Sequence, residues 1–346
     1  MSTHINIGGI VTTTAPSFIA HGWEPWSMTQ AMKHFDDPAF ATAFSHLRGQ
    51  SVRVGGITAD WLIYSVNATV ADECRWGARK PFTLGGGCPF TTGSFDRLAD
   101  FLRSAGVGLL FDLNELIGRN CTWPGPHPWN PPEWCGDKPA TWDLAPVRGL
   151  LTHIAQRGLE GIVGFELGNE LFMPPHLSHE SVDSDVLALS SLLAQTWGGS
   201  APRLFATGTN DCMQHSNNCS ATLSTLARVS APVGFSFHSY PGNAPGRWWN
   251  ASDLTSYLLN ATWLRTATLA ATAPCLAAWN RGPRSKGIVA AVTEAAATYG
   301  RQDVWQARHG VLYSFGTKGR PVSVYCLGGC SPFICLGHLV WQVRTW

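Results

Sequence analysis

Two apolar, strand-like runs in this 346-residue sequence end on a glutamate. In GFELGNE, from Gly164 to Glu170, a period of two places Glu166, Gly168 and Glu170 on one face. In GIVAAVTEAAATYG the run stops at Glu294 and continues in small residues that leave room for a ligand. Two carboxylates at separate strand ends, facing one pocket, are what glycosidic bond cleavage requires. One protonates the leaving oxygen and the other attacks the anomeric carbon. The competing expectation is structural: each glutamate is a strand-end carboxylate satisfied by a cation or a helix cap. Glu166 would lie deeper than Glu170 and need a buried partner. His238 and Tyr240, in FSFHSYPGN, end another apolar run and would ring the same rim, with a satisfied core histidine as the alternative for His238.

The elements that must position these residues are legible as alternating patterns. Short runs rich in Val, Ile and Phe predict strands near Ser17–Ala20, Ser51–Val54, Gly108–Leu113, Ile162–Leu167, Arg203–Thr207, Val233–His238 and Gly287–Thr293. Between them the periodicity predicts helices over Pro38–Leu47, Ser94–Ala105, Ala145–Arg157, Val182–Trp197, Ala221–Arg228 and Ala251–Thr268. Ser94 is the expected N-cap of the second helix and Gly106 its terminator. Alternating β and α units imply a parallel sheet, and at this length an α/β chain of this kind is expected to close as a (β/α)8 TIM barrel. Pro321–Cys326 is the one candidate for the eighth strand. Asn67–Gly87 and the Pro- and Trp-rich stretch Thr122–Lys138 interrupt the order. The latter is either an aromatic wall on which sugar rings stack or a pinned surface loop.

Composition narrows the partners. The formal charge is +1, from 24 basic and 23 acidic residues, with no basic run, so the electrostatic footprint of a nucleic-acid binder is missing and no nucleic-acid partner is expected. No window is long and apolar enough to span a bilayer, so any membrane association is expected to be peripheral only. Gly85–Gly87 lacks the Gly-Lys-Ser/Thr of a phosphate loop, and no G-x-S-x-G elbow occurs. His176-Leu-Ser-His179-Glu180 has a metal-like composition but follows two prolines and reads as a solvated loop. No metal and no cofactor are expected. Ten cysteines include short brackets, Cys74 with Cys88, Cys121 with Cys135 and Cys212 with Cys219, that can close small disulfide loops. Sequons at Asn67, Asn120, Asn218, Asn250 and Asn260 agree with the secretory pathway. The expected location is therefore secreted, extracellular or in a lysosome or vacuole, with the signal peptide not present in this sequence.

Six blocks in order, SFIAHGWEPW, LRGQSVRVGGITADWLIYS, GVGLLFDLNELIGR, GFELGNEL, FHSY and VTEAAATYG, resemble the heparanase-like family, glycoside hydrolase family 79, from about Ser17 to Phe315. The plant members are nearest, with the same bracket at Cys74 and Cys88. The resemblance implies a retaining β-glucuronidase acting on glucuronic-acid-containing glycans, heparan-sulfate-like or arabinogalactan-like. Its acid/base falls on Glu170 and its nucleophile on Glu294. It implies that Asn169 holds the sugar 2-hydroxyl and that His238, Tyr240 and Tyr299 line subsites. Glu24 stands where the family has Asp, and Gly55-Gly56-Ile57-Thr58 where it has Gly-Gly-Thr, which makes Glu24, Gly55 and Gly56 substrate-binding candidates with an altered contact. The implied organisation is an extension over 1–16, a barrel over 17–315 and a divergent tail over 316–346, with the family's β-sandwich largely missing. A catalytically silent glycan-binding homologue or a truncated, inactive fragment is the alternative expectation.

Overall fold

The computed structural model describes residues 20–56, 58–65, 88–115, 141–158, 160–170, 177–209, 222–229, 231–239, 289–295, 311–315, 321–326 and 339–340. The chain opens with β1 (Ala20–Trp23), α1 (Pro25–Met32), α2 (Pro38–Ser45) and β2 (Ser51–Val54), followed by a 3-10 turn at Ala59–Trp61 and β3 (Leu62–Ser65). Then come β4 (Cys88–Thr91), α3 (Thr92–Ala105), β5 (Gly108–Leu113), α4 (Ala145–Arg157), β6 (Ile162–Leu167), α5 (His179–Trp197), β7 (Arg203–Thr209), β8 (Val233–Ser239) and β9 (Val289–Ala295). The last elements are β10 (Val311–Phe315), β11 (Pro321–Cys326) and β12 (Leu339–Val340).

Seven strands form one sheet in the order β1-β2-β5-β6-β7-β8-β9, and every neighbouring pair is parallel. Strand order that follows chain order, with a helix in most connections, is the winding of a barrel rather than of a doubly wound sheet. The sheet curls into part of a (β/α)8 barrel. The predicted strands Ser51–Val54, Gly108–Leu113 and Ile162–Leu167 are observed with those bounds. The first strand is displaced: it runs Ala20–Trp23, where its ladder to Ser51–Val54 and the proline that opens α1 set its limits.

Pro321–Cys326 is a strand, but it does not close this sheet. It pairs antiparallel with β10, and β12 adds to its other side, in a separate three-stranded sheet. β10 lies beside β9 without joining its ladder. The short link from Phe315 to Pro321 suits a hairpin, which accounts for the antiparallel pairing of β11 with β10. Among the described residues the parallel sheet has no eighth strand.

The helices pack one apolar stripe against the outside of the sheet. Leu98 and Leu102 of α3, Leu150, Leu151 and Ile154 of α4, and Leu189 and Leu193 of α5 are all buried there. Phe35, in the turn between α1 and α2, stacks on Phe101 of α3 with ring centroids 3.9 Å apart. The expected cap of α3 shifts by three residues. Thr91, not Ser94, is the N-cap, and its Oγ1 accepts the backbone N–H of Ser94 at 3.1 Å. Gly106 terminates α3 as expected, with φ 71°, a left-handed conformation in which a side chain would be strained. His179 and Glu180, read from sequence as loop, are the first residues of α5, capped by Ser178 Oγ on the N–H of Ser181. The Ser-x-x-Ser spacing outweighs the preceding prolines because it satisfies a helix-start donor.

Candidate active site

The inner face of the sheet can be followed in layers. Near the bottom, Gly164 of β6 and Gly234 of β8 make room for the Phe205 ring of β7 between them. A Cβ on Gly234 would come within 2.4 Å of that ring, and one on Gly164 within 2.5 Å of the Arg203 carbonyl oxygen. Glycine is required at both because the barrel interior is filled by side chains from alternate positions, and a phenyl group occupies their share.

Above this plug lies a charged layer. Arg53 of β2 is almost fully buried, and its Nε donates to Glu166 Oε2 at 2.5 Å. Its Nη2 donates to Asn169 Oδ1 at 3.0 Å and reaches Asp112 Oδ2 at 3.5 Å. Glu166 thus has the buried partner its depth demanded. Asp112 and Glu166 are register partners on β5 and β6, so one guanidinium faces two carboxylates. Burial first, and then the charge of Glu166, push the Asp112 carboxyl well above its ordinary value, while Arg53 and the Gly56 N–H pull the other way. Burial likewise raises the Tyr64 phenol, which stays neutral and accepts the Asn114 N–H at 2.8 Å.

The top layer holds Asn169, Glu170 and His238. After β6 the chain turns at Gly168, with φ 65°, and Glu170 follows with φ 56°. Glu170 is the one non-glycine residue among those described with a positive φ, a conformation that concentrates at functional sites. Its Oε1 lies 2.6 Å from His238 Nδ1, and both side chains are buried. The pair shares one hydrogen: with Glu170 ionised the Nδ1–H donates, and with Glu170 protonated its O–H donates. In the β8–β9 ladder His238 is the register partner of residue 294. Glu170, three residues beyond β6, thus touches a β8 side chain whose ladder partner on β9 is residue 294. Arg53 fixes the orientation of the Asn169 amide. Because its Oδ1 accepts from the guanidinium, its Nδ2 remains the donor end.

Glu24, Gly55 and Gly56 are joined in one packing unit. Glu24 Oε2 accepts from the Thr58 N–H at 3.1 Å and from Thr58 Oγ1 at 2.6 Å. Gly56 has φ 103°, and a Cβ there would fall 2.3 Å from Glu24 Oε1, while one on Gly55 would fall 2.6 Å from the Arg53 guanidinium carbon. Cys88 opens β4 opposite Leu62. Cys74, Tyr240, Tyr299 and the sequons at Asn67, Asn120, Asn218, Asn250 and Asn260 lie outside the described residues. Among the described residues no group of His, Cys, Asp or Glu is arranged to hold a metal ion, and no helix is long and apolar enough to cross a membrane.

Sequence reasoning missed Arg53, Asp60, Asp112, Asn114 and Glu115. For Arg53 and Asp112 the signal was present in SVRV and GLLFDL, where a charged residue interrupts a strand that is otherwise largely apolar. In a strand with both faces buried such a residue must find an opposite charge inside.

A family model described as glycosyl hydrolase family 79, N-terminal domain, matches residues 21–216. Among solved structures, a 4-O-α-L-rhamnosyl-β-D-glucuronidase from Fusarium oxysporum 12S, in complex with Rha-GlcA, is similar at 13% identity and a TM-score of 0.54, over 82% of this chain and 55% of that one. A family 51 α-L-arabinofuranosidase from Bifidobacterium longum is similar at 14% identity and a TM-score of 0.40, over 82% of this chain and 56% of that one. The chain spans little more than half the length of these structures. No curated protein matches.

Proposed function

The chain belongs to glycosyl hydrolase family 79, and from that premise we propose that it is a retaining glycoside hydrolase acting on β-glucuronide linkages in glycans, heparan-sulfate-like or arabinogalactan-like. The observation that carries the reading is the junction at His238, which touches Glu170 directly and stands in register beside residue 294. In this mechanism Glu170 gives its proton to the glycosidic oxygen as Glu294 attacks the anomeric carbon, so the leaving group departs as an alcohol and a glycosyl ester forms on Glu294. Glu170 then takes a proton from water, whose oxygen displaces Glu294 and restores the starting configuration. The Asn169 amide donates to the sugar 2-hydroxyl, and His238, Tyr240 and Tyr299 line the sugar subsite. Glu24, Gly55 and Gly56 shape its wall.

The glucuronide preference draws on the family and on the Fusarium oxysporum enzyme's described activity. The same reading places the protein outside the cell or in a lysosome or vacuole, glycosylated at its sequons. No nucleic acid takes part, and contact with membranes is peripheral at most.

The test is proton NMR of the first-formed product from an aryl β-glucuronide, with wild type and Glu170→Gln. Retention predicts that β-glucuronic acid forms first, and removing the general acid predicts a loss of about 10²- to 10⁴-fold. Initial α-glucuronic acid would reject Glu294 as nucleophile. Glycan binding without turnover by the wild type would replace the enzyme with a silent glycan-binding homologue.

A further inference from the structure

Asp60 sits in the 3-10 turn that follows β2, and its side chain is buried. Its two oxygens serve two different strands. Oδ2 accepts the backbone N–H of Asn169, just beyond β6, at 2.8 Å, and Oδ1 accepts the backbone N–H of Glu115, just beyond β5, at 3.0 Å. Close by, the Asn114 N–H donates to Tyr64 and its Nδ2 to the Leu62 carbonyl, each at 2.8 Å. The turn after β2 and the start of β3 therefore staple the carboxyl end of β5, and Asp60 extends the staple to β6. Asn169 directly precedes Glu170, whose φ of 56° is unfavourable for a side chain with a Cβ and persists only where the surroundings over-determine it.

We propose that Asp60 is a positioning residue for Glu170: by holding the Asn169 amide against the end of β5, its carboxylate sets the backbone conformation that aims the Glu170 carboxyl at the bond to be cleaved. This rests on the reading of Glu170 as the acid/base. Both carboxylate oxygens are in use, so the role is specific to an ionised acid. An amide side chain has one acceptor oxygen and can hold only one of the two N–H groups. Asn169 is thus gripped twice, by Asp60 at the backbone and by Arg53 at the side chain.

The experiment compares wild type with Asp60→Asn on two substrates, phenyl β-glucuronide and 2,4-dinitrophenyl β-glucuronide. The first leaving group needs protonation and the second does not. A misaimed acid lowers kcat/KM for the phenyl substrate by about tenfold to a hundredfold, part of the range a general acid supplies, and leaves the dinitrophenyl substrate nearly unchanged. Equal losses on both would show a merely structural role and overturn the proposal.

Two readouts do not depend on turnover. In Asp60→Asn at least one of the Asn169 and Glu115 amides should exchange with solvent about tenfold faster, as loss of a hydrogen bond to a charged group implies, while the amides within β6 keep their protection. The His238 Nδ1 resonance, which reports its bond to Glu170, should also move. Unchanged exchange, or an unchanged His238 resonance, overturns the proposal even if the wild type hydrolyses neither substrate, a result that would sink the functional reading instead. Should Asp60→Asn not fold, Asp60→Glu carries the same measurements, since it keeps the charge but sets both oxygens one methylene further out.

Discussion

Replacing Arg53 by methionine removes a buried cation that faces two carboxylates, Asp112 and Glu166, on the inner face of the sheet. Three contacts go together, to Glu166 at 2.5 Å, Asn169 at 3.0 Å and Asp112 at 3.5 Å, with side-chain exposures of only 4% for Arg53 and 0% for both acids. Water cannot take over at that depth. Breaking one side of a buried pair costs about 3–5 kcal/mol, chiefly because the remaining charge is stranded. At about 2.1 cal/mol/K of unfolding entropy per residue, each kcal/mol shifts the melting temperature of a 346-residue chain by about 1.4 °C, so Arg53→Met should lower it by about 4–7 °C. The loss should also depend on pH. The folded Asp112 carboxyl holds its proton above the ordinary value of 3.8, so the native state binds more protons than the unfolded chain in that window, and stability falls as pH rises through it. Arg53 pulls the Asp112 value down, and removing it extends the window upward, so Arg53→Met should be worse at pH 8 than at pH 5. Adding Glu166→Leu, which takes away the stranded partner, should recover a large part of the loss. Urea unfolding followed by circular dichroism at both pH values measures all three variants. A cost below about 1 kcal/mol, or a double variant no better than the single one, would refute the account of Arg53 as the charge that keeps this layer folded.

Gly56→Ala should destabilise the protein by about 1–3 kcal/mol in the same assay, because φ is 103° there and the new Cβ would meet a Glu24 carboxylate already tied to Thr58. An unchanged midpoint would show that the Glu24–Thr58 unit is loose. Peptide mapping without reduction should recover Cys74 and Cys88 as one linked pair from secreted material; recovery of both as free thiols would reject the disulfide and the oxidising compartment with it.

Local pattern alone determined much of what positions the site. The apolar runs at Ser51–Val54, Gly108–Leu113 and Ile162–Leu167 marked their strands to the residue, because a buried parallel strand is apolar along most of its length even where one charged residue, here Arg53, Asp112 or Glu166, interrupts it. The end of the run put Glu170 just beyond a strand's carboxyl end, where barrel sites are built, but the period of two holds only to Leu167: the chain turns at Gly168, so the shared face expected for Glu166 and Glu170 does not extend to Glu170. Periodicity names a face, but it does not name the partner across it. That Arg53 neutralises Glu166, that Asp60 holds Asn169 and that His238 meets Glu170 are contacts between residues more than fifty positions apart, decided only when the strands took their order. Pairing was equally beyond reach for Pro321–Cys326. Its composition predicts a strand, but composition does not choose the partner: the chain after Ala295 is long enough for a crossover, yet Val311–Phe315, a short link away, is the neighbour with which it pairs antiparallel.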